Sequence, residues 1–259
     1  MTSTTLRPGR VVAILTVLAA LTALAPLSID MYTPSLPGME AELGAADWLA
    51  QATVTGCLLG IGVGQVLWGP MSDRFGRRPV VLVGLIGWTL SSAASAASQD
   101  AATLVAVRVV AGLCGAACIV AARSVVRDIT GDPHARATRI GMLSMVSAAA
   151  PIVAPLLGAL IAGVWSWRAD FVALTIVGVA MTVLFALIVP ETLGADERTS
   201  GGLGIVRGLT AALRDRDLVA IVLPFAAFAF GFYAYVATAS FIAERQFGLP
   251  PLAFGIVFG

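Results

Sequence analysis

The stretch GPMSDRFGRRP (69–79) places one acid and three arginines within six residues of an otherwise apolar region. On either side the chain runs without a charged side chain, over 48–72 and over 79–98. A helix that crosses the hydrocarbon core of a bilayer needs about 20 predominantly apolar residues, and each run supplies that length. The stretch therefore predicts a short charged turn between two membrane-spanning helices.

The composition of the whole chain agrees with this interpretation. Hydrophobic residues make up 58% of the 259 residues, charged residues 12%, and the mean hydropathy is +0.93. A soluble domain has roughly 45–50% apolar and about 25% charged residues, so this chain lacks the charge that a soluble surface needs. No basic tail or patch of mixed basic and aromatic residues is present, so we expect no nucleic-acid partner.

Seven segments are long and apolar enough to span a membrane. An eighth apolar run begins near Leu252 and reaches Gly259, so we expect the chain to be cut inside an eighth helix. The pattern predicts an all-α fold, a polytopic transmembrane helical bundle. The predicted spans are 11–32, 48–70, 79–98, 101–122, 140–164, 170–189 and 218–241.

The longest polar insertion separates the sixth span from the seventh. We predict a six-helix bundle over 1–189, a central linker over 190–217, and helix seven with the start of helix eight, the first part of a second bundle, over 218–259. The end of the linker alternates apolar residues with arginines, which fits a short amphipathic helix on the membrane surface and a flexible tether equally well.

Arginine placement predicts the orientation. Arginines gather before the first span and in the turns after the second, fourth and sixth spans, whereas the opposite turns carry acids such as Glu40 and Asp100. Because positively charged loops stay in the cytoplasm, we expect the N-terminus and the linker to be cytoplasmic. The first span, with Arg7 and Arg10 ahead of it, is too long for a cleaved signal peptide, and we interpret it as an uncleaved helix.

The residues of the quoted turn have a physical logic. Glycines permit close approach and unusual backbone angles, an acid complements the positive end of a helix dipole, and arginines pair with acids or with carbonyl groups at helix ends. We expect Asp73 to accept hydrogen bonds from a neighbouring helix start. Simple anchoring by positive charge explains the arginines but not the acid or the spaced glycines. The candidate gating residues are Gly69, Asp73, Arg74, Gly76, Arg77 and Arg78.

The spacing of glycine, three residues, Asp-Arg, one residue and Gly-Arg-Arg resembles the signature loop of the major facilitator superfamily. That resemblance implies the major facilitator fold, and it implies that the turn latches two bundles together when the transporter faces outward. SIDMYTPSLP (28–37), RVVAG (108–112) and APLLG (154–158) further resemble motifs of drug:proton antiporters in the bicyclomycin and chloramphenicol resistance branch.

The same resemblance assigns a role to the fifth span. Its prolines bend the helix because they remove backbone donors, and its small residues permit close packing. In antiporters of this kind such a bend is thought to seal the interface against leak, although ordinary helix packing explains the same residues. The antiporter-motif residues are Pro151, Ala154, Pro155 and Gly158.

Asp30 in the first predicted span and Arg108 in the fourth are charged residues inside apolar segments. A charge well inside a bilayer costs about 2.5–3.5 kcal/mol on insertion scales, so such residues normally face an interior cavity and have a partner. A rise of about 1.5 Å per residue places both in the outer portion at a matching level. We expect them to face each other, with Asp30 taking up and releasing a proton under the control of Arg108. The alternative is an aspartate that caps the first helix beside an arginine bonded to carbonyl groups.

The seventh span is rich in aromatic residues that repeat at helical spacing. Aromatic, mostly apolar pockets suit lipophilic ligands of drug size, whereas helix packing and lipid contact explain the same stripe. With one tyrosine of the first span, the predicted substrate-cavity residues are Tyr32, Phe225, Phe228, Phe232 and Tyr235.

Together these features predict a proton-driven exporter of small lipophilic compounds in the bacterial inner membrane. We expect a monomer in the lipid bilayer, powered by the proton gradient, without cofactor or metal and without enzymatic activity. A proton-coupled symporter or metabolite carrier of the same superfamily, or an inactive fragment of such a transporter, is the alternative. An intramembrane protease would need a base beside its nucleophile within the membrane, and the lone histidine, His134, lies in a loop.

Overall fold

The computed structural model describes residues 8–198 and 204–258, and within them every regular element is helical. Arg7, the linker residues 199–203 and Gly259 lie outside the described residues. Seven of the described helices are long and apolar enough to cross a membrane, which confirms the predicted number. The helices are α1 (Pro8–Asp30), α2 (Leu36–Leu43), α3 (Asp47–Phe75), α4 (Arg77–Ala97), α5 (Ala101–Asp128), α6 (Pro133–Val164), α7 (Trp167–Ile188), α8 (Gly204–Arg214), α9 (Arg216–Phe247) and α10 (Pro251–Phe258).

The first span is interrupted rather than short. α1 ends at Asp30, a 3₁₀ turn covers Thr33–Ser35, and α2 continues to Leu43, so that one span extends over Gly9–Leu43. The expected end near residue 32 is wrong because Pro34 and Pro37 occupy first-turn positions of the 3₁₀ turn and of α2, where a helix needs no N–H donor. Since about 20 Å of chain follows Asp30 at helical rise, this residue lies nearer the middle of the span than we predicted.

Other helices also extend beyond the apolar segments. α3 continues to Phe75 and α9 to Phe247, because polar residues join the helix ends outside the hydrocarbon length. The Asp100 carboxylate caps α5 by accepting a 2.8 Å hydrogen bond from the Thr103 N–H, and this bond holds the pKa of Asp100 below its usual value. In the linker, α8 shows that the end of this segment is a helix and not a flexible tether.

The first bundle packs through close helix contacts around α5. α5 lies against α3 and α4, α4 lies against α7, and α1 contacts α5 and α6. At the crossing of α3 and α5, a Cβ atom on Gly112 would collide with the Cys57 carbonyl group, and one on Gly60 would collide with that of Val109. Gly112, the last residue of the RVVAG motif, is therefore a contact point between two spans.

α6 approaches the interrupted span equally closely. A Cβ atom on Gly158 would collide with the Met31 carbonyl group, which lies just beyond the end of α1. On its other side, α6 lies close to α10. A Cβ atom on Gly255 of α10 would stand 2.9 Å from the Pro155 carbonyl oxygen. The motif residues Ala154, Pro155 and Gly158 are buried, whereas Pro151 is partly exposed. These residues bring α6 against both the interruption and the second half of the chain.

The two ends of the bundle differ in charge. We call the end that carries the 69–79 turn the arginine-rich end, and the end at which α2, α3 and α7 meet the acidic end. At the acidic end, Arg245 of α9 pairs with Glu40 of α2 at 2.7 Å and also with Asp47 of α3. This ionic contact ties α9, which is the predicted helix seven, to the first bundle.

We predict that Gly158→Ala destabilises the protein because the added methyl group collides with the Met31 carbonyl group. Gly163→Ala in the same helix is the control, since a Cβ atom there meets nothing within 4 Å. Alanine is the better helix former by about 1 kcal/mol, so the control is expected to be neutral or stabilising. Melting temperatures in detergent compare the two variants. Equal or higher stability of Gly158→Ala would contradict this packing account.

Candidate functional site

Arg108 is fully buried in α5 and binds the last turns of α1. Its Nη1 donates a 2.9 Å hydrogen bond to the Ser28 hydroxyl group, and its Nη2 donates a short hydrogen bond to the Ser28 carbonyl oxygen. That carbonyl lies at the end of a helix, where intrahelical donors run out. Arg108 thus supplies a charged donor at the point where the first span is interrupted.

Two aromatic rings enclose the guanidinium group. The Cζ atom of Arg108 lies 4.9 Å from the ring centre of Tyr32 and 5.4 Å from that of Phe171. The two rings are 5.0 Å apart, and the Tyr32 hydroxyl group lies 3.1 Å from the hydroxyl group of Thr53 on α3. Such cation–π contacts gain strength where water is excluded. Tyr32, predicted to line a substrate cavity, is here a fully buried wall of the Arg108 site.

Asp30 is buried at 2% exposure, yet it does not pair with Arg108. Its Oδ1 atom has no hydrogen-bond partner, and none of the ion pairs among the described residues includes it. The expected face-to-face contact is therefore wrong in this conformation. Residues two apart on a helix do not share a face, so Ser28 and Asp30 point to different sides of α1, and Arg108 binds the side that carries Ser28. The contact of Arg108 with a carbonyl group is the one expected in the alternative interpretation.

α9 contacts the first bundle at the 3₁₀ turn that follows Asp30. Tyr233 of α9 is partly buried against the core of the first bundle and lies within electrostatic range of the Asp30 carboxyl group. Asp30 and Tyr233 therefore lie near one another where α9 meets the first bundle. Our sequence-based site did not include Tyr233, although its place among the aromatic residues of that span could have suggested it.

A second buried acid, Asp170, was missed by the sequence analysis. It lies in the first turn of α7 with no exposed surface. Its Oδ2 atom accepts a 3.2 Å hydrogen bond from the Ser35 hydroxyl group, and its Oδ1 atom has no partner. The available signal was an acid at the very start of a predicted span.

The charged turn at the arginine-rich end is built on one residue, Gly76. Its φ of 102° is a conformation that side chains rarely adopt, and a Cβ atom there would stand 2.5 Å from the Glu191 carboxylate. Glu191 accepts hydrogen bonds from the N–H groups of Arg77 at 2.9 Å and Arg78 at 3.1 Å. It also accepts 3.0 Å bonds from the N–H groups of the two residues that follow it in the chain. The start of α4 is therefore capped by Glu191, and the expectation that Asp73 accepts from a helix start is wrong.

Arg77 connects three helices around this turn. It is 2% exposed, and it bonds Asp73 of α3 at 2.5 Å and Asp128 of α5 at 3.0 Å. Arg78 donates a 2.7 Å hydrogen bond to the Ala186 carbonyl oxygen in the last turn of α7. Pairing of these arginines with acids and helix ends is as predicted, and every partner belongs to residues before 194.

The remaining two residues of the predicted gate have local contacts. Arg74 is exposed and lies over the ring of Phe75 at 5.2 Å. Gly69 accepts a 2.9 Å hydrogen bond from the Ser72 hydroxyl group, and a Cβ atom there would meet nothing within 4 Å. Neither residue contacts the second half of the chain through a bond that the structure describes.

The aromatic stripe of helix seven is exposed. The exposed fractions are 73% for Phe225, 70% for Phe228, 39% for Phe232 and 57% for Tyr235. α9 instead packs Tyr233, Ala237 and Phe241 against the core of the first bundle, and Ala239 and Ala243 against Phe254 of α10. The structure brings none of the stripe to Arg108 or Asp30, and its predicted role in a cavity stays a prediction.

A cavity lies elsewhere, between α1 and α6 in the half of the bundle nearer the arginine-rich end. It measures about 520 Å³, and its lining is apolar except for two threonines and one arginine. Aromatic side chains are absent from this lining, so the sequence analysis gave no sign of it. Its lining residues are Val12, Leu15, Thr16, Ala19, Ala135, Thr138, Arg139, Met142, Leu143 and Val146.

Comparisons with known proteins give a consistent result. The chain is 35% identical over 246 residues to the uncharacterized MFS-type transporter YdgK of Bacillus subtilis, and 30% identical over 243 residues to a bicyclomycin resistance protein homolog of Haemophilus influenzae. It is 37% identical over 169 residues to a chloramphenicol resistance protein of Pseudomonas aeruginosa. These matches cover 93%, 93% and 65% of this chain but 61%, 61% and 40% of the relatives, so the chain spans about three fifths of the first two.

Solved structures show the same fold. A bacterial homolog to the human lysosomal transporter Spinster, inward-facing and occupied, aligns with a TM-score of 0.77 at 18% identity over 98% of this chain and 58% of that one. The human organic anion transporter MFSD10 aligns with a TM-score of 0.70 at 22% identity, over 97% of this chain and 69% of that one.

The family model described as Major Facilitator Superfamily matches residues 18–259, nearly the whole chain. That match agrees with the bundle of apolar spans and with the glycine-centred turn, and it points to a transporter rather than an enzyme. The chain belongs to the major facilitator superfamily.

Proposed function

We propose that this chain is part of a proton-coupled exporter of small lipophilic compounds, which exchanges an outgoing substrate for an incoming proton by alternating access. The observation that carries the proposal is Asp30, a buried carboxyl group without a partner near the middle of the first span. An unpaired buried charge is strongly unfavourable, so such a group is expected to change its protonation state during function. Relatives named for resistance to bicyclomycin and chloramphenicol support export as the direction.

The surroundings of Asp30 suggest how a proton acts on the protein. Arg108 holds the Ser28 end of the interruption, and Tyr233 of helix seven senses the charge on the opposite side. Protonation of Asp30 removes the charge between the first bundle and helix seven, so the two can pack without a desolvation cost. Deprotonation restores the charge and favours a state in which water reaches this side of α1. Each step changes the relative stability of two packings, as alternating access requires.

The orientation follows from the distribution of arginines. The arginine-rich end belongs in the cytoplasm of a bacterial inner membrane, and with it the N-terminus. The cavity between α1 and α6 then opens toward the cytoplasmic half, where an exporter collects its substrate. Its apolar lining, with Arg139 and two threonines as polar points, suits a lipophilic compound of drug size. We propose a monomer as the working unit.

The turn cluster has a supporting role in this cycle. Arg77, Arg78 and Glu191 fix the ends of α4, α5 and α7 to one another. A bundle fixed in this way moves as one rigid body against the second bundle. The proposed latch between bundles would add contacts from the second half to this preassembled cluster.

We predict that Asp30→Asn abolishes uphill transport while downhill transport remains, because the amide cannot exchange a proton. In everted membrane vesicles under a pH gradient, the steady-state accumulation ratio of an exported compound is expected to fall to unity. Glu244→Gln replaces an exposed acid of α9 and is the control, with accumulation as in the unmodified protein. Uphill accumulation by Asp30→Asn would contradict proton coupling through this residue, and accumulation in the reverse direction would indicate a symporter.

We predict that Glu191→Gln lowers the free energy of unfolding by about 2 kcal/mol, since an amide cannot accept on both arms and leaves buried N–H groups of α4 without a charged partner. Asp196→Asn, an exposed acid five residues later, is the control and is expected to change stability by less than about 0.5 kcal/mol. Melting curves in detergent measure both effects. If the two variants melt alike, Glu191 does not cap α4 as described.

A further inference from the structure

Asp170 forms a buried site distinct from Asp30 and Arg108. It has no exposed surface, and only one of its two carboxylate oxygens has a partner, the Ser35 hydroxyl group. Ser35 ends the 3₁₀ turn that leads into α2, so this hydrogen bond joins α7 to the outer part of the interrupted span. The contact is across 135 residues of sequence and inside the protein.

The arginines near Asp170 are occupied elsewhere. Arg168 pairs with Glu42 at 3.2 Å and donates to the carbonyl oxygens of Ala96 and Ser98. Arg108 touches the ring of Phe171 but binds Ser28. No arginine nitrogen lies within 4.0 Å of the Asp170 carboxylate in the part of the chain that the structure describes.

No other helix packed against α7 supplies a compensating charge. α4 carries ionisable side chains only at its opposite end, and those of α6 lie within its first seven residues, also at the arginine-rich end. From α1 and α2 the ionisable groups on this side are Asp30, Tyr32, Glu40 and Glu42, which are acids. A negative charge on Asp170 would therefore be buried without a counter-ion, which is a strongly unfavourable arrangement, whereas a neutral carboxyl group is far cheaper to bury.

Asp170 is shallow, and this distinguishes it from Asp30. It lies three residues after Trp167, about one helical turn from the start of α7 at the acidic end. Trp167 itself donates a 2.8 Å hydrogen bond to Glu42, whose side chain is 48% exposed. Separation of the 33–43 segment from α7 would therefore open Asp170 to water at that end only.

We propose that Asp170 is a second proton-binding site, exchanging protons with water at the acidic end, and that a bound proton is required for the 33–43 segment to dock on α7. The proton comes from that water and forms an O–H bond at Oδ1, the oxygen without a partner, while the Ser35 hydroxyl group donates to Oδ2. On undocking, the proton returns to the same water. This proposal rests on the proposed function, because the site has a role only if the protein transports by alternating access. Asp170 would control closure of the outer end, whereas Asp30 would couple transport to the proton gradient.

Infrared titration of the purified protein in lipid tests proton binding directly. We expect a protonated-carboxyl C=O band that titrates with pH and is lost in Asp170→Asn, and a separate band lost in Asp30→Asn. Asp170→Glu, which keeps an ionisable carboxyl group, is expected to shift the first band rather than remove it, and it serves if Asp170→Asn does not fold. Absence of any protonated-acid band that depends on residue 170 would overturn the proposal.

Distance measurements between spin labels test docking. The labels replace two exposed residues, Ala41→Cys on α2 and Trp165→Cys before α7, in a protein whose three native cysteines are replaced by serine. The short-distance population is expected to rise as the pH falls, to be full at every pH in Asp170→Asn, and to be smaller at every pH in Ser35→Ala. Glu244→Gln, an exposed acid of α9 outside this contact, is the control and keeps the pH response. A pH response retained in Asp170→Asn, or lost in Glu244→Gln, would overturn the proposal.

The outcomes separate this inference from the proposed function. If uphill export depends on Asp30 but residue 170 gives neither a titrating band nor pH-dependent docking, only the second proton site is contradicted. If Asp170 controls docking but export does not depend on Asp30, only the coupling role of Asp30 is contradicted.

Discussion

The structure depends on the way in which the interruption of the first span is held. A helix that stops within the membrane leaves carbonyl groups without donors, which hydrocarbon cannot satisfy. Arg108 meets that need with a hydrogen bond to the Ser28 carbonyl oxygen, and it donates a second one to the Ser28 hydroxyl group. Its own charge is enclosed by Tyr32 and Phe171. The close approach of Gly158 to Met31 completes the enclosure from α6. The interruption is therefore stable, and it fixes where Asp30 and the 3₁₀ turn lie.

Two acids flank this fixed point with different surroundings. Asp30 faces helix seven from the middle of the span, and Asp170 meets the 3₁₀ turn close to the acidic end. Neither has a positive partner among the described residues, and we propose that each is neutral where it is buried and charged where water reaches it. Placed on the two sides of one rigid interruption, they would respond to protons at different stages of the same motion. The proposed cycle follows from this separation.

The sequence predicted the class of the fold because hydrophobic length and arginine placement are local signals. It predicted that Arg108 lies inside the protein, because a charge within an apolar span is also a local signal. It did not decide the partner of Arg108. Ser28 and Asp30 lie on different sides of α1, and the way in which α1 packs against α5 determines which of them meets Arg108. Glu191 and Asp170 were missed because their partners, Arg77 and Ser35, lie more than a hundred residues away in sequence. Contacts of that kind depend on how the helices are assembled.

The central claim is that Asp30 has no counter-ion and exchanges a proton when the protein changes state. Proton release on addition of a lipophilic substrate to the purified, weakly buffered protein tests it most directly. We expect the unmodified protein to release protons when it binds the substrate. We expect Asp30→Asn to bind the substrate but to release fewer protons. Identical proton release by the two proteins at every pH would contradict the account.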